Sequence, residues 1–135
     1  MGGFEFPAVV PYLFYRDATE ALDFLQRAFG FREHSVSRGP DGAVWNAQLW
    51  AGSGLVMIGP GAEEFGTRPV TDREWASCRI HVLVDDLEVH HRRAVDGGAV
   101  MRSDVGLRFG DVRIYVAGDC GGHQWIFAQP VTDDR

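Results

Sequence analysis

Arg79 and His81 stand two residues apart in the run RIHVLV, so an extended backbone sends both side chains to one face. An imidazole within reach of a carbon acid is a general base, and a guanidinium beside it stabilises an enolate or carboxylate. A cation next to an imidazole also favours its neutral, proton-accepting form. Asn46, Gln48, Trp50, Met57, Arg113, Tyr115, Gln124 and Ile126 fall on alternating positions of other extended segments, as do Tyr12 and Phe14 near the N-terminus. Aromatic walls with a few amides and cations are what a pocket for a small organic molecule needs. The same inventory also describes a half-buried sheet face or a dimer interface. Cys78 and Cys120 have no CxxC spacing and read as unpaired thiols, with Cys120, three residues before His123, carrying a reactive-thiol alternative. His34 on a second strand could join His81 in a rebuilt metal site. Of the adjacent His90 and His91, one reads as solvated and the other as edging the core, and His123 reads as structural.

These residues are positioned by a sequence written twice. Asp17 follows the apolar run VVPYLFY and opens ATEALDFLQRAFG; Asp86 follows RIHVLV and opens LEVHHRRAVDGG, at an offset of 69 residues. Both aspartates read as helix N-caps, whose carboxylates satisfy amides left unpaired in the first turn. Ala18, Ala21, Leu22, Leu25, Ala28 and Phe29 form one stripe and Leu87, His91, Ala94 and Val95 the other, with Gly30 and Gly97–Gly98 as stops. The same offset carries Asp41-Gly42 onto Gly110-Asp111 and Gly52 onto Gly121. Three extended segments follow each helix, at 31–38, 43–50 and 54–59, then at 99–105, 112–119 and 123–129. The prediction is an α+β domain over 1–135, made of tandem βαβββ modules at about 7–60 and 78–129. Its mixed sheets curve around a cleft, with the helices on the outer face. The intervening 60–77, rich in Gly, Pro and charge, is the crossover and a candidate lid.

Strand alternation assigns Ile80, Val82, Val84, Trp125, Phe127, Ile114, Val116, Trp45, Ala47 and Leu49 to the helix-covered side, with Leu13, Tyr15, Val56 and Ile58. The opposite face carries the candidate site together with Val10, Leu55 and Leu83.

A formal charge of −6 with acids and bases interspersed leaves no basic stripe for a phosphate backbone, so nucleic acid is not an expected partner. It mildly favours cationic ligands, whereas Arg79 and Arg113 in a pocket would favour an anionic or carbonyl group. No run has the length of a membrane span and the N-terminus lacks a signal-peptide pattern; a cytoplasmic, reducing setting is expected.

The segments PYLFYRDATEALDFLQRAFGF, HVLVDDLEVHHRRAVDGGA and GDVRIYVAGDCGGHQWIFAQ resemble the vicinal oxygen chelate superfamily, closest to its PhnB-like, glyoxalase/bleomycin-resistance/dioxygenase branch. Gly122, His123, Trp125 and Phe127 meet the GH-x-W-x-F pattern, and the resemblance spans about residues 7 to 129. The resemblance implies a metal ligand in the first and last strand of each module, and those positions here are Val10, Met57, Arg79 and Ile126. Val and Ile offer no donor, a thioether suits soft ions, and a guanidinium repels cations. No metal or other cofactor is therefore expected. The resemblance further implies a homodimer and a bound small molecule, an antibiotic or related metabolite. The alternative is a metal-independent isomerase or lyase using His81 and Arg79. A third reading is a fold kept for dimerisation or regulation, with no small ligand.

Overall fold

The computed structural model describes residues 6–131, with the backbone alone at 107–109. The first module runs β1 (Tyr12–Phe14), α1 (Ala18–Phe29), β2 (Arg32–Arg38), β3 (Val44–Ala51) and β4 (Gly54–Gly59). After a short 3₁₀ turn at Glu63–Phe65, the second runs β5 (Arg79–Leu83), α2 (Leu87–Asp96), β6 (Val100–Met101), β7 (Leu107–Phe109), β8 (Val112–Gly118) and β9 (Gln124–Pro130). The sheets have the orders β1-β4-β3-β2 and β5-β9-β8, with β6 and β7 both paired to β8. β1 lies parallel to β4 and β5 parallel to β9; all other pairs are antiparallel. The 69-residue repeat persists in the register, since Tyr12 lies beside Met57 and His81 beside Ile126. This is the tandem βαβββ architecture read from the sequence, one sheet strand richer because segment 99–105 contributes only the two residues of β6 and a separate β7 follows.

The helix signals act as expected. Asp17 Oδ1 accepts from the Glu20 amide at 3.0 Å and Asp86 Oδ1 from the Val89 amide at 3.1 Å. Gly30 ends α1 at φ 71°, a left-handed conformation that glycine adopts without Cβ strain. α1 and α2 pack on one another, and an aromatic cluster joins the modules. Phe29 and Phe31 at the end of α1 meet Trp125 and Phe127 of β9, with ring centroids 4.7–6.4 Å apart. Burying each such ring contributes on the order of 1.5–3 kcal/mol before chain entropy is subtracted.

Polar contacts fix how the modules meet. From α2, Arg93 donates to the carbonyls of Gln26 and Arg27 at 3.1 and 3.0 Å, and the His90 ring reaches the Phe29 carbonyl at 2.9 Å. The exposed end of α1 is thereby capped by its duplicate. At the β8–β9 turn the buried Asp119 accepts four donors: Tyr15 Oη at 2.5 Å, Trp125 Nε1 at 2.9 Å, and the amides of Gly121 and His123. Tyr15 belongs to the first module, so this carboxylate ties it to the second. His123 Nε2 lies 2.7 Å from the Phe14 carbonyl, at the same junction.

Three face assignments need correction. In the first sheet Gln48 pairs with Met57, which transposes to Ala117 beside Ile126; instead Val116 lies beside Ile126 and Tyr115 beside Phe127. β8 is thus shifted by one residue against the duplicate, and a one-residue shift exchanges the faces of a strand. The cause is the turn: Gly52–Ser53 suffices between β3 and β4, whereas residues 119–123, organised on Asp119, separate β8 from β9. Tyr115 and Arg113, expected in the cleft, therefore face α2, and Ile114 and Val116, expected under the helices, lie on the other side. Second, Trp45 is 60 % exposed and not core, because a register shift between Ser37 and Arg38 leaves it unpaired opposite β2. Third, His90 sits on the core side of α2 with His91 beside it, both against Tyr115, while Val95 is exposed.

Candidate functional site

β1 presents Tyr12 and Phe14 on one face, their rings stacked at 4.8 Å and 24°. The bulge that frees Trp45 from the core turns its indole toward the same space. Asn46 Nδ2 donates to Tyr12 Oη at 3.1 Å, fixing the phenol while its own hydrogen stays free to donate outward. The crossover then folds back: the Ala62 amide donates to Thr67 Oγ1 at 2.8 Å and the Thr67 amide to the Ala62 carbonyl at 3.1 Å. That closed turn carries Glu64 and Phe65 to the rim. The result is a hollow of about 710 Å³ walled by Tyr12, Phe14, Trp45, Phe65 and Thr67, with Glu64 its only ionisable carboxyl among the described residues. Trp45, Glu64 and Phe65 were absent from the sequence-level site; only the reading of 60–77 as a candidate lid pointed toward the latter two.

The remaining candidates divide between the sheets. Gln48, Trp50 and Met57 are half-buried on the first sheet, where Trp50 meets His34 edge-on at 5.5 Å. On the second, the Arg79 guanidinium donates through Nε to Gln124 Oε1 at 2.8 Å, with Gln124 itself buried. His81 is exposed beside Ile126. Tyr12, Phe14 and Asn46 are thus brought together around Trp45, and Arg79 is brought to Gln124, while the two sets lie on separate sheets. Arg113 instead forms a bidentate pair with Glu88 of α2, holding that carboxyl below its usual range. Tyr115 hydrogen-bonds His90 at 2.5 Å, and burial pushes its phenol up.

Val10, Met57, Arg79 and Ile126 do not fit a divalent metal: two have no donor atom, one is a thioether, and the guanidinium is already committed to Gln124. Among the described residues no three His, Cys, Asp or Glu side chains cluster as a ligand set. Nor does Cys120 have the environment of a nucleophile, because burial and the Asp119 charge push its thiol up to about 12, where thiolate is scarce at neutral pH. Cys78 is exposed. Treatment of the native protein with iodoacetamide at pH 8 should therefore give one adduct, at Cys78, by peptide mass spectrometry. Equal labelling of Cys120 would contradict the burial argument.

No family model matches the chain. An uncharacterized protein of Mycobacterium bovis, Mb0911c, is 30% identical over 130 residues, covering 94% of this chain and 86% of that protein. The Mycobacterium tuberculosis protein Rv0887c is likewise 30% identical, with 76% of its length covered. The chain belongs to the family of these mycobacterial proteins. Among solved structures, TioX from Micromonospora sp. ML1 superposes with a TM-score of 0.71 at 28% identity, covering 96% of this chain and 100% of TioX. The fosfomycin resistance protein FosX of Mesorhizobium loti gives 0.65 at 18%, covering 95% of each chain. A glyoxalase/bleomycin resistance protein/dioxygenase from Nocardioides gives 0.63 at 15%, with 98% and 89% covered. The fold is accordingly that of the vicinal oxygen chelate superfamily. Among the described residues, no helix is long and apolar enough to cross a membrane.

Proposed function

We propose that this chain binds a small organic molecule, of the antibiotic or related-metabolite class, in the aromatic hollow of its first module. It does so without a metal held by its own side chains. The observation that carries this reading is the exposure of Tyr12, Trp45 and Phe65, at 44, 60 and 80 %, around one concave surface. Large rings facing water around one hollow form the kind of contiguous apolar surface that marks a binding site. The fold shared with the fosfomycin resistance protein FosX and with the glyoxalase/bleomycin resistance protein/dioxygenase of Nocardioides, and the resemblance to PhnB-like proteins, support the ligand class. Leu83, 58 % exposed on the second sheet, supports a homodimer in which a partner covers this face, and the cytoplasm is the setting that the two unpaired cysteines favour.

A thermal-shift screen of peptide antibiotics, quinones and α-keto acids tests the proposal, since binding to the native state raises apparent stability by mass action. Trp45→Ala should weaken a hit about tenfold or more, the size expected for a central aromatic anchor. An unchanged affinity would place the ligand elsewhere. The isomerase or lyase reading draws less support: among the described residues His81 has no hydrogen-bond partner to orient its ring, and Gln124 takes the Arg79 Nε.

A further inference from the structure

We infer that the ligand of the aromatic hollow is a cation of the alkylated ammonium class, held by aromatic faces and the Glu64 carboxylate; this rests on the reading of that hollow as the binding site. The sequence left a conflict, an overall charge of −6 against two arginines assigned to the same pocket. The structure removes it. Arg113 lies on the helix side of the second sheet, paired with Glu88, and Arg79 is held by Gln124 on a different sheet. Among the described residues no basic side chain lines the hollow, and Arg68 lines the neighbouring depression that shares Tyr12.

What remains in the hollow is one chemistry repeated. Three kinds of ring line it, the Tyr12 phenol, the Phe14 and Phe65 phenyls and the Trp45 indole, with Tyr12 and Phe14 stacked on one another, and the face of such a π-system carries negative potential. An ammonium within about 6 Å of such a face is attracted, and indole is the strongest of the three. Alkyl substituents on the nitrogen suit this lining, because they spread the charge, lower its hydration and bury apolar area against the rings. Glu64 supplies the counter-charge at the rim. A carboxylate-bearing ligand would meet that same Glu64 as a repulsion with no donor cation to offset it. An uncharged flat molecule could stack, and would gain nothing from Glu64.

Choline and its uncharged isostere 3,3-dimethylbutan-1-ol separate charge from shape, with quinoxaline as an uncharged flat probe. Proton NMR titration reads the N-methyl and tert-butyl singlets, which ring currents move upfield when they enter an aromatic box. Choline is expected to bind at least about fivefold more tightly than the alcohol. Glu64→Gln should raise the choline dissociation constant about threefold and leave that of the alcohol unchanged, while Trp45→Leu should weaken both. Glu64 and Trp45 are exposed, so neither variant removes core packing. Equal binding of the isosteres, or a preference unaltered by Glu64→Gln, would overturn the cation inference. Quinoxaline bound through Trp45 alongside that result would leave the small-molecule reading standing. No singlet shift and no quinoxaline binding at millimolar concentration would overturn both.

Discussion

Asp119→Ala should lower the unfolding free energy by about 3–5 kcal/mol, a fall in Tm of roughly 10–20 °C for a chain of this size. The substitution removes the shared acceptor of Tyr15 Oη, Trp125 Nε1 and two backbone amides, all at or beside a residue only 2 % exposed. Each buried donor left without a partner costs about 1–3 kcal/mol, and partial relaxation keeps the total below the simple sum. Tyr15→Phe isolates one of the four bonds and should cost about 1–2 kcal/mol, because Asp119 keeps three donors. The Tyr15 phenol is held well above its ordinary value, by burial first and the Asp119 charge second, so it remains a donor throughout the working range. Chemical denaturation of the three proteins checks the ordering. A loss below about 1 kcal/mol for Asp119→Ala would show that the junction is held by apolar packing alone.

His90→Ala is the second large effect, at about 2–4 kcal/mol, and it carries a pH signature. The Phe29 carbonyl can only accept, so Nε2 bears the hydrogen and Nδ1 accepts from Tyr115 Oη; both ring nitrogens are satisfied in the neutral form. Burial, then the positive charge of Arg93, lowers the His90 pKa below its ordinary 6.5, although the Phe29 bond opposes the shift. The folded state thus binds this proton less readily than the unfolded chain. The stabilisation is complete above about pH 6.5 and is lost as the pH falls toward the folded value. Urea unfolding between pH 5 and 8 should show wild-type stability declining on the acid side, with a shallower decline in His90→Ala. Parallel pH profiles would exclude His90 as the source.

The duplication made the fold legible from Asp17, Asp86 and the glycines after each helix, since capping and turn chemistry are local and repeat at a fixed offset. Tyr12, Phe14 and Asn46 were legible as alternating positions that keep their strand partners, Met57, Gly59 and Ser37. Tyr115 and Arg113 were not, because their face depends on a turn five residues long whose geometry is set by a buried carboxylate. Trp45 was hidden by a bulge, which alternation cannot reveal. Phe65 and Glu64 come from the crossover, where periodicity carries no information and a hydrogen-bonded turn at Thr67 decides placement.

The one-residue shift of β8 has a consequence for stoichiometry. The positions that answer Tyr12 and Phe14 across the repeat are His81 and Leu83, and in the shifted β8 the one that answers Trp45 is Arg113, turned to the helix side and paired with Glu88. The second module therefore offers an imidazole and aliphatic carbon where the first offers stacked rings. Two halves built alike would offer two equal hollows; with the proposed aromatic hollow formed by the first module alone, calorimetric titration should saturate at a single ligand per chain.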